Sequence, residues 1–470
     1  MRNLSMKMAL LVFFVFPYFL FAQNSTFDPN ESGGSYPIER NDANNPCIKP
    51  EEYKIIEKQC ADNVKLLGLQ NARQKGNITT SFIWPLRTAN GLNDCSYYYI
   101  GNYLDQDPTS PGIRDWNCGT VTYDGHMGTD ICTFPYPFYK MDNNQVEVIA
   151  AAPGTIVNWV DGNFDKNCDW NNANANYIAI QHKDGSCALY WHLKKNSLTP
   201  KKIGQTVVAG EYLGVVGSSG ASSAPHLHFE VLSGITINTI NDSYSGTCNT
   251  LNANSWWIDQ KPYTEPAIIE ASVHPVLAVF PTCPSTEIPN EDTCFTAGSS
   301  VKFYTFYRNE TSGLVSNMRI INPDGTTFTS WTHNSNVSHL SSYWISTKTL
   351  PIIAGTYTFE ATYNNIICSK SFKIDCNLSN VTDIANSSKI QVFPNPTSGI
   401  INISGSGIVN GNFKFTLTNG IGQLLFNNNT QIENNEVKKE ISISELPDGI
   451  YFLTIDMEKT KIVKKIIKQQ

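Results

Sequence analysis

Histidine is scarce in this chain, with 8 among 470 residues, and charged side chains make up only 16%. No basic excess accompanies that low charge, since the formal net charge is -7. A phosphate-binding face needs the opposite sign, so nucleic acid is excluded as a partner. Beyond the N-terminal segment no run reaches 18 apolar residues, and no transmembrane span is expected. Cys-x-x-Cys is absent, which argues against a cysteine-built zinc site. His-Glu-x-x-His is absent too, and with it the helical histidine pair that carries a glutamate base. The glycine-rich GVVGSSGAS at 214–222 lacks a Gly-Lys-Ser/Thr ending and runs toward a strand, so a turn is expected there.

What is present reads as several β-rich domains. Residues 1–22 have Arg2 and Lys7 ahead of an apolar run from Met8 to Phe21 and then Ala22, the build of a signal peptide. Its removal leaves 32 Lys and Arg against 41 acids, a net charge of -9. Residues 23–76 form a polar leader carrying one helical pattern over 49–69, with Pro50 in its first turn and Ile55, Ile56, Cys60, Val64, Leu66 and Leu67 at roughly helical spacing. Short strands punctuated by Gly, Asn and Asp fill 77–265, and "HKDGS" reads as a hairpin turn. A second all-β region at 272–376 has the turn spacing of an immunoglobulin-like sandwich. A polar linker at 377–389 leads to a third β-rich block at 390–470. The expected fold class is therefore mainly β: an antiparallel sheet domain with a short N-terminal helix, followed by two β-sandwich domains. All twelve cysteines lie beyond residue 22, and an exported chain is expected to oxidise them. Cys47/Cys60, Cys283/Cys294 and Cys368/Cys376 are close enough in sequence to suggest local disulfides.

The chemistry concentrates in three stretches. In "PHLHFEV" a period of two puts His226, His228 and Glu230 on one face of a strand and Leu227, Phe229 and Val231 on the core face. "DGHMGTD" sets His126 and Asp130 four apart, with Gly128 disfavouring a helix between them. Two imidazoles and a carboxylate are a common zinc set, and three protein ligands leave a fourth position for water. In "ALYWHL" alternation places Tyr190 and His192 on one face and Leu189 and Trp191 on the other. Glu230 reads either as a support for a ligand or as a solvated strand-end carboxylate. His182, His274, His333 and His339 have no partner at ligand spacing.

The ordered set "HMGTD", "YWHL", "GQTVVAGEYLGVVGSSG" and "HLHFEV" resembles the lysostaphin/LytM-type zinc metallopeptidases over about 82–232. The resemblance implies that His126, Asp130 and His228 bind Zn2+ and that His192 and His226 are the catalytic pair. "CTFPYPFYKMDNNQ" and "DKNCDWNNANAN" look like insertions beside the expected groove. At the other end, "VFPNPTSG" and "LPDGIYFLTIDMEKTKIVKKIIKQ" resemble the C-terminal sorting domain of the type IX secretion system. Together these imply a secreted or surface zinc endopeptidase cutting peptide cross-links of peptidoglycan, or glycine-rich peptides, and exported by the type IX machinery. A non-catalytic wall-binding or activator module, or a surface adhesin carrying a peptidase-like domain, is the alternative. Family members kept inactive by an N-terminal stretch also suggest that the leader could confer latency.

Overall fold

In the computed structural model the described residues are 31–36, 47–70, 80–375 and 390–469, less 90, 108, 170, 281–285, 407–409, 420–422, 433–434 and 458–459. The expected signal peptide, the linker, Cys283 and Cys376 lie outside them. The strand His226–Leu232 pairs antiparallel with Thr129–Thr133 on one side and Cys187–Trp191 on the other. The same sheet continues outward through Tyr98–Asn102 at one end and through Tyr177–Gln181, Gly154–Val160 and Thr206–Val207 at the other. Leu227, Phe229 and Val231 enter a core with Ile131, Ile178, Ile180 and Tyr190. Burial of such side chains contributes about 1.5–3 kcal/mol each and fixes the register, because a one-residue slip would exchange the faces. A three-stranded sheet of Leu86–Thr88, Val146–Ile149 and Tyr212–Val215 adds Leu86, Val148 and Leu213 to that core.

The opposite face of the large sheet is covered by the helix Pro50–Leu66. Glu51 and Glu52 in its first turn and Lys65 in its last complement the helix dipole, and the Lys49 backbone N–H donates to Glu52 Oε2 at 3.0 Å. Ile56, Cys60 and Val64 pack on Val157, Ala179, Leu189 and Trp191. A second, short helix, Pro137–Asp142, occupies the stretch read from sequence as an insertion and buries Phe138 and Met141.

Nine further strands make a two-sheet sandwich. One sheet is ordered Glu31–Ser35, His339–Thr349, Ser300–Glu310, Ala267–His274, and the other Cys294–Phe295, Ile366–Ile374, Gly355–Tyr363, Val315–Ile321, Thr327–Asn334. Part of the leader is therefore an edge strand, Gly33 lying opposite Trp344. The large sheet and this sandwich belong to one unit, Met1–Asp375, and Cys376–Gln470 forms another. The latter contains two antiparallel sheets, one of Ile390–Phe393, Ile400–Ser406 and Glu436–Ser442, the other of Leu424–Ile432, Gly411–Asn419, Gly449–Met457 and Thr460–Lys468.

Two of the suggested local disulfides are corrected. Cys47 and Cys60 are both free and buried: Cys60 packs in the helix–sheet contact, whereas the Cys47 sulfur faces His228. Cys368 bonds Cys95, 273 positions away, rather than Cys376, and Cys118 bonds Cys248. Cys294 is disulfide-bonded as well.

Candidate metal centre

Strand pairing sets the first contact. His228 sits directly opposite Asp130, so both side chains leave the same face, and His228 Nδ1 lies 2.9 Å from Asp130 Oδ1. His126 reaches the same point from the loop before that strand, its Nε2 being 3.2 Å from His228 Nδ1 and 3.2 Å from Asp130 Oδ1. Gly128 makes this approach possible: a Cβ there would lie 2.8 Å from the His228 ring.

Every outward-facing atom of the three is tied down. His126 Nδ1 donates to the Tyr103 carbonyl at 2.7 Å, and Asn102 Nδ2 donates to Asp130 Oδ2 at 2.9 Å. His228 Nε2 faces Glu230 at 3.5 Å, and Glu230 in turn accepts from Tyr53 Oη at 2.7 Å. Glu230 is thus fully buried and supports His228, the first of its two sequence readings.

His192 departs from the expected alternation. Tyr190 goes into the core beside Phe229, as a core-face residue must, and continued alternation would send His192 there too. Instead His192 adopts φ 67°, which ends the strand at Trp191 and swings the ring to the opposite face, 4.5 Å from His226 between centroids. Its Nδ1 donates to the Ser219 carbonyl at 2.6 Å, so the GVVGSSGAS turn positions this imidazole. His192 Nε2 is buried with no hydrogen-bond partner among the described residues. His226 Nδ1 donates to the Ala224 carbonyl at 2.8 Å, and its Nε2 lies 3.6 Å from Asp130 Oδ1. All five residues singled out in the sequence are thereby gathered at one place.

A sixth group was missed. Cys47 Sγ is 3.5 Å from His228 Nδ1, and Cys47, His126 and His228 offer ligand atoms that all lie within 4.8 Å of one another. In sequence it is only a cysteine ahead of the helix, which local spacing pairs with Cys60, while its spatial neighbour His228 sits 181 positions away.

The electrostatics are those of a cation site. Burial pushes the Asp130 carboxyl up, but the charges of His126 and His226 and its hydrogen bonds outweigh this and hold it well below the usual range. Burial likewise raises the Cys47 thiol, and the charge on His228 with the surrounding imidazoles overcomes it, holding the thiol low. For His126 burial acts downward and Asp130 upward, leaving it raised to about 9. Burial and the neighbouring His192 depress His226 to about 4. Buried carboxylate, imidazole and thiol donors converging on one point fit a metal of the zinc class, which accepts O, N and S ligands.

The antiparallel β fold and this donor set define a candidate metal centre of the zinc class. Residues 126–239 match peptidase family M23, and residues 391–469 match the secretion system C-terminal sorting domain. The chain therefore carries an M23-type peptidase domain and a C-terminal sorting domain. It is 35% identical over 72 residues to the peptidoglycan DD-endopeptidase ShyC of Vibrio cholerae, a match covering 15% of this chain and 16% of that protein. An uncharacterized metalloprotease of Haemophilus influenzae is 30% identical over 94 residues, covering 20% and 19%. The chain spans no more than 20% of the length of these curated relatives. Among solved structures, the catalytic domain of the antimicrobial peptidase lysostaphin from Staphylococcus simulans matches with 26% identity and a TM-score of 0.21, covering 31% of this chain and 88% of that one. Among the described residues no helix is long and apolar enough to cross a membrane.

Proposed function

We propose that this chain is a Zn2+-dependent endopeptidase that hydrolyses peptide cross-links of peptidoglycan, or glycine-rich peptides, outside the cell. The observation that carries the reading is the meeting of His126 Nε2, Asp130 Oδ1 and His228 Nδ1 within 3.2 Å of one another, with His192 and His226 beside them. These three atoms would hold the ion, which when bound supplies Lewis acidity toward a peptide carbonyl and an acidified water. Asn102 orients Asp130, and Glu230 with Tyr53 orients His228. His192 and His226 carry the protons: with each Nδ1–H fixed on a carbonyl, each Nε2 is the nitrogen left to accept a proton from the attacking water or donate to the developing oxyanion. The peptidoglycan endopeptidase name of the ShyC relative supports the substrate class.

Export rests on the sorting domain, with residues 1–22 as signal peptide and the type IX machinery as the second partner. Domain boundaries of 77–265 for the peptidase and 272–376 for the sandwich belong to the same proposal.

The test is digestion of defined muropeptides by the full chain, with products weighed by mass spectrometry. Each cut should add one water, and a chelator should stop it. His228→Ala should lose the metal, whereas His192→Ala and His226→Ala should keep it and lose roughly 100-fold or more in rate. Equal cutting by wild type and His228→Ala sinks the reading. The non-catalytic alternative is favoured by one feature, Cys47 at the place where a catalytic site keeps water.

A further inference from the structure

We infer that the Cys47 thiolate is a fourth ligand of the metal held by His126, Asp130 and His228, closing the site so that the full chain is held at low activity until the leader is displaced. The inference rests on the metal-centre reading above and adds its regulation. A tetrahedral zinc with bonds of about 2.0–2.1 Å to nitrogen or oxygen and about 2.3 Å to sulfur has ligand–ligand edges of roughly 3.3 Å and roughly 3.6 Å respectively. The three histidine and aspartate edges are 3.2, 3.2 and 2.9 Å, and the thiol edge to His228 is 3.5 Å. Sulfur therefore stands one tetrahedral edge from the cluster, where a fourth ligand belongs. Four protein ligands make a closed site, and catalysis needs the fourth position for water.

Access gives a second, independent argument. None of His126, Asp130, His192, His226 and His228 is more than 7% exposed, so the leader stands between them and a peptide. The sequence places His226, His228 and Glu230 on the face of the strand His226–Leu232 away from the core, yet all seven of its residues are buried because Cys47, Ile48 and the helix Pro50–Leu66 cover that face. The cover is held by packing, by Tyr53 on Glu230 and by Asn63 Nδ2 on the Val157 carbonyl at 2.9 Å. Neither of its described cysteines, Cys47 and Cys60, is in a disulfide, so the cover can leave without breaking a covalent cross-link there. On closing, the S–H bond is replaced by a sulfur–metal bond and one proton goes to solvent. On opening, water takes the ligand position and the thiol takes a proton back.

The experiment loads the full chain, Cys47→Ser, Cys47→Ala and Cys60→Ala with Co(II) in place of Zn2+. The full chain and Cys60→Ala should show the near-ultraviolet thiolate-to-cobalt charge-transfer absorption. Both Cys47 variants should bind one equivalent of cobalt without it, and equal far-ultraviolet circular dichroism checks their folding. Absence of the band from the full chain, or its persistence in the Cys47 variants, overturns the assignment. With Zn2+ and muropeptides, Cys47→Ala should cut at least about tenfold faster than the full chain. If it cuts no faster than an active full chain, the inactivation is overturned. If the band behaves as expected and no protein cuts, the ligand assignment stands and the peptidase reading fails.

Discussion

At the scale of single residues, the site depends on small departures from regular geometry. Gly128 is one, since any side chain there meets the His228 ring and the Phe229 carbonyl at 2.8 Å. Gly128→Ala should push His228 off its position and weaken metal binding by about 10- to 100-fold, the usual effect of disturbing what orients a ligand. Competition against a chromophoric chelator measures this, and unchanged affinity would remove the steric argument. His192 is the other departure. Its φ of 67° costs a residue other than glycine conformational energy, of order 1 kcal/mol or more, which the Ser219 contact helps to offset. The alternation of Leu189, Tyr190 and Trp191 was legible in the sequence, and so were His226, His228 and Glu230 as face-sharing residues, whereas the pairing of Asp130 opposite His228 is visible only in the fold. The swing of His192 was not, because a period of two has no term for a left-handed residue at a strand end. Cys47 was illegible for another reason: its neighbours are distant in sequence, and local spacing favoured Cys60 as its partner.

Among elements, the helix Pro50–Leu66 was readable almost to its ends from Pro50, the early glutamates and the apolar spacing, but of that apolar set Ile56, Cys60 and Val64 are buried while Ile55 and Leu66 are exposed. What its apolar stripe packs against could not be read, and the answer matters for function because the sheet face beneath continues to His228 and Glu230. Ile56 is 5% exposed, and truncating a buried isoleucine to alanine typically costs about 2–5 kcal/mol. Two outcomes of Ile56→Ala in urea separate the roles of this helix. A single transition shifted by that amount means the helix unfolds with the sheet domain. Unchanged global unfolding, with faster hydrogen exchange confined to 50–66, means a separately displaceable cover. The leader strand Glu31–Ser35 escaped the sequence reading because Gly33 and Gly34 lack strand character and pair by backbone alone.

For the unit Met1–Asp375 as a whole, the sheet domain and the sandwich are tied by Cys95–Cys368 and by Arg308, which meets Glu265 at 3.0 Å and stacks on Tyr98 at 4.5 Å. A cross-link closing 273 positions restrains the unfolded chain strongly, so Cys95→Ser with Cys368→Ser should lower stability by roughly 2–5 kcal/mol. Calorimetry of the double variant would show a lower transition, and an unmoved one would mean the two parts unfold independently.

Acid should act on this unit through Glu310, which joins the two sheets of the sandwich. Its carboxylate accepts from Ser335 at 2.7 Å, from Trp344 Nε1 at 3.0 Å and from Ser342, and pairs with His333 at 2.7 Å. Burial acts to raise its pKa, but these hydrogen bonds outweigh burial and lower it from 4.5 to about 2. A carboxyl depressed on folding contributes stability that is complete above its unfolded value of 4.5 and is lost as pH falls through about 2. That separation corresponds to roughly 3 kcal/mol. Glu310→Gln has no proton to exchange, so the stability difference between wild type and variant should shrink by about that amount between pH 6 and pH 2. Urea midpoints at stepped pH measure it. A difference that stays flat across the window would show that the Glu310 network does not link the sandwich to pH, and that acid sensitivity must enter elsewhere in the unit.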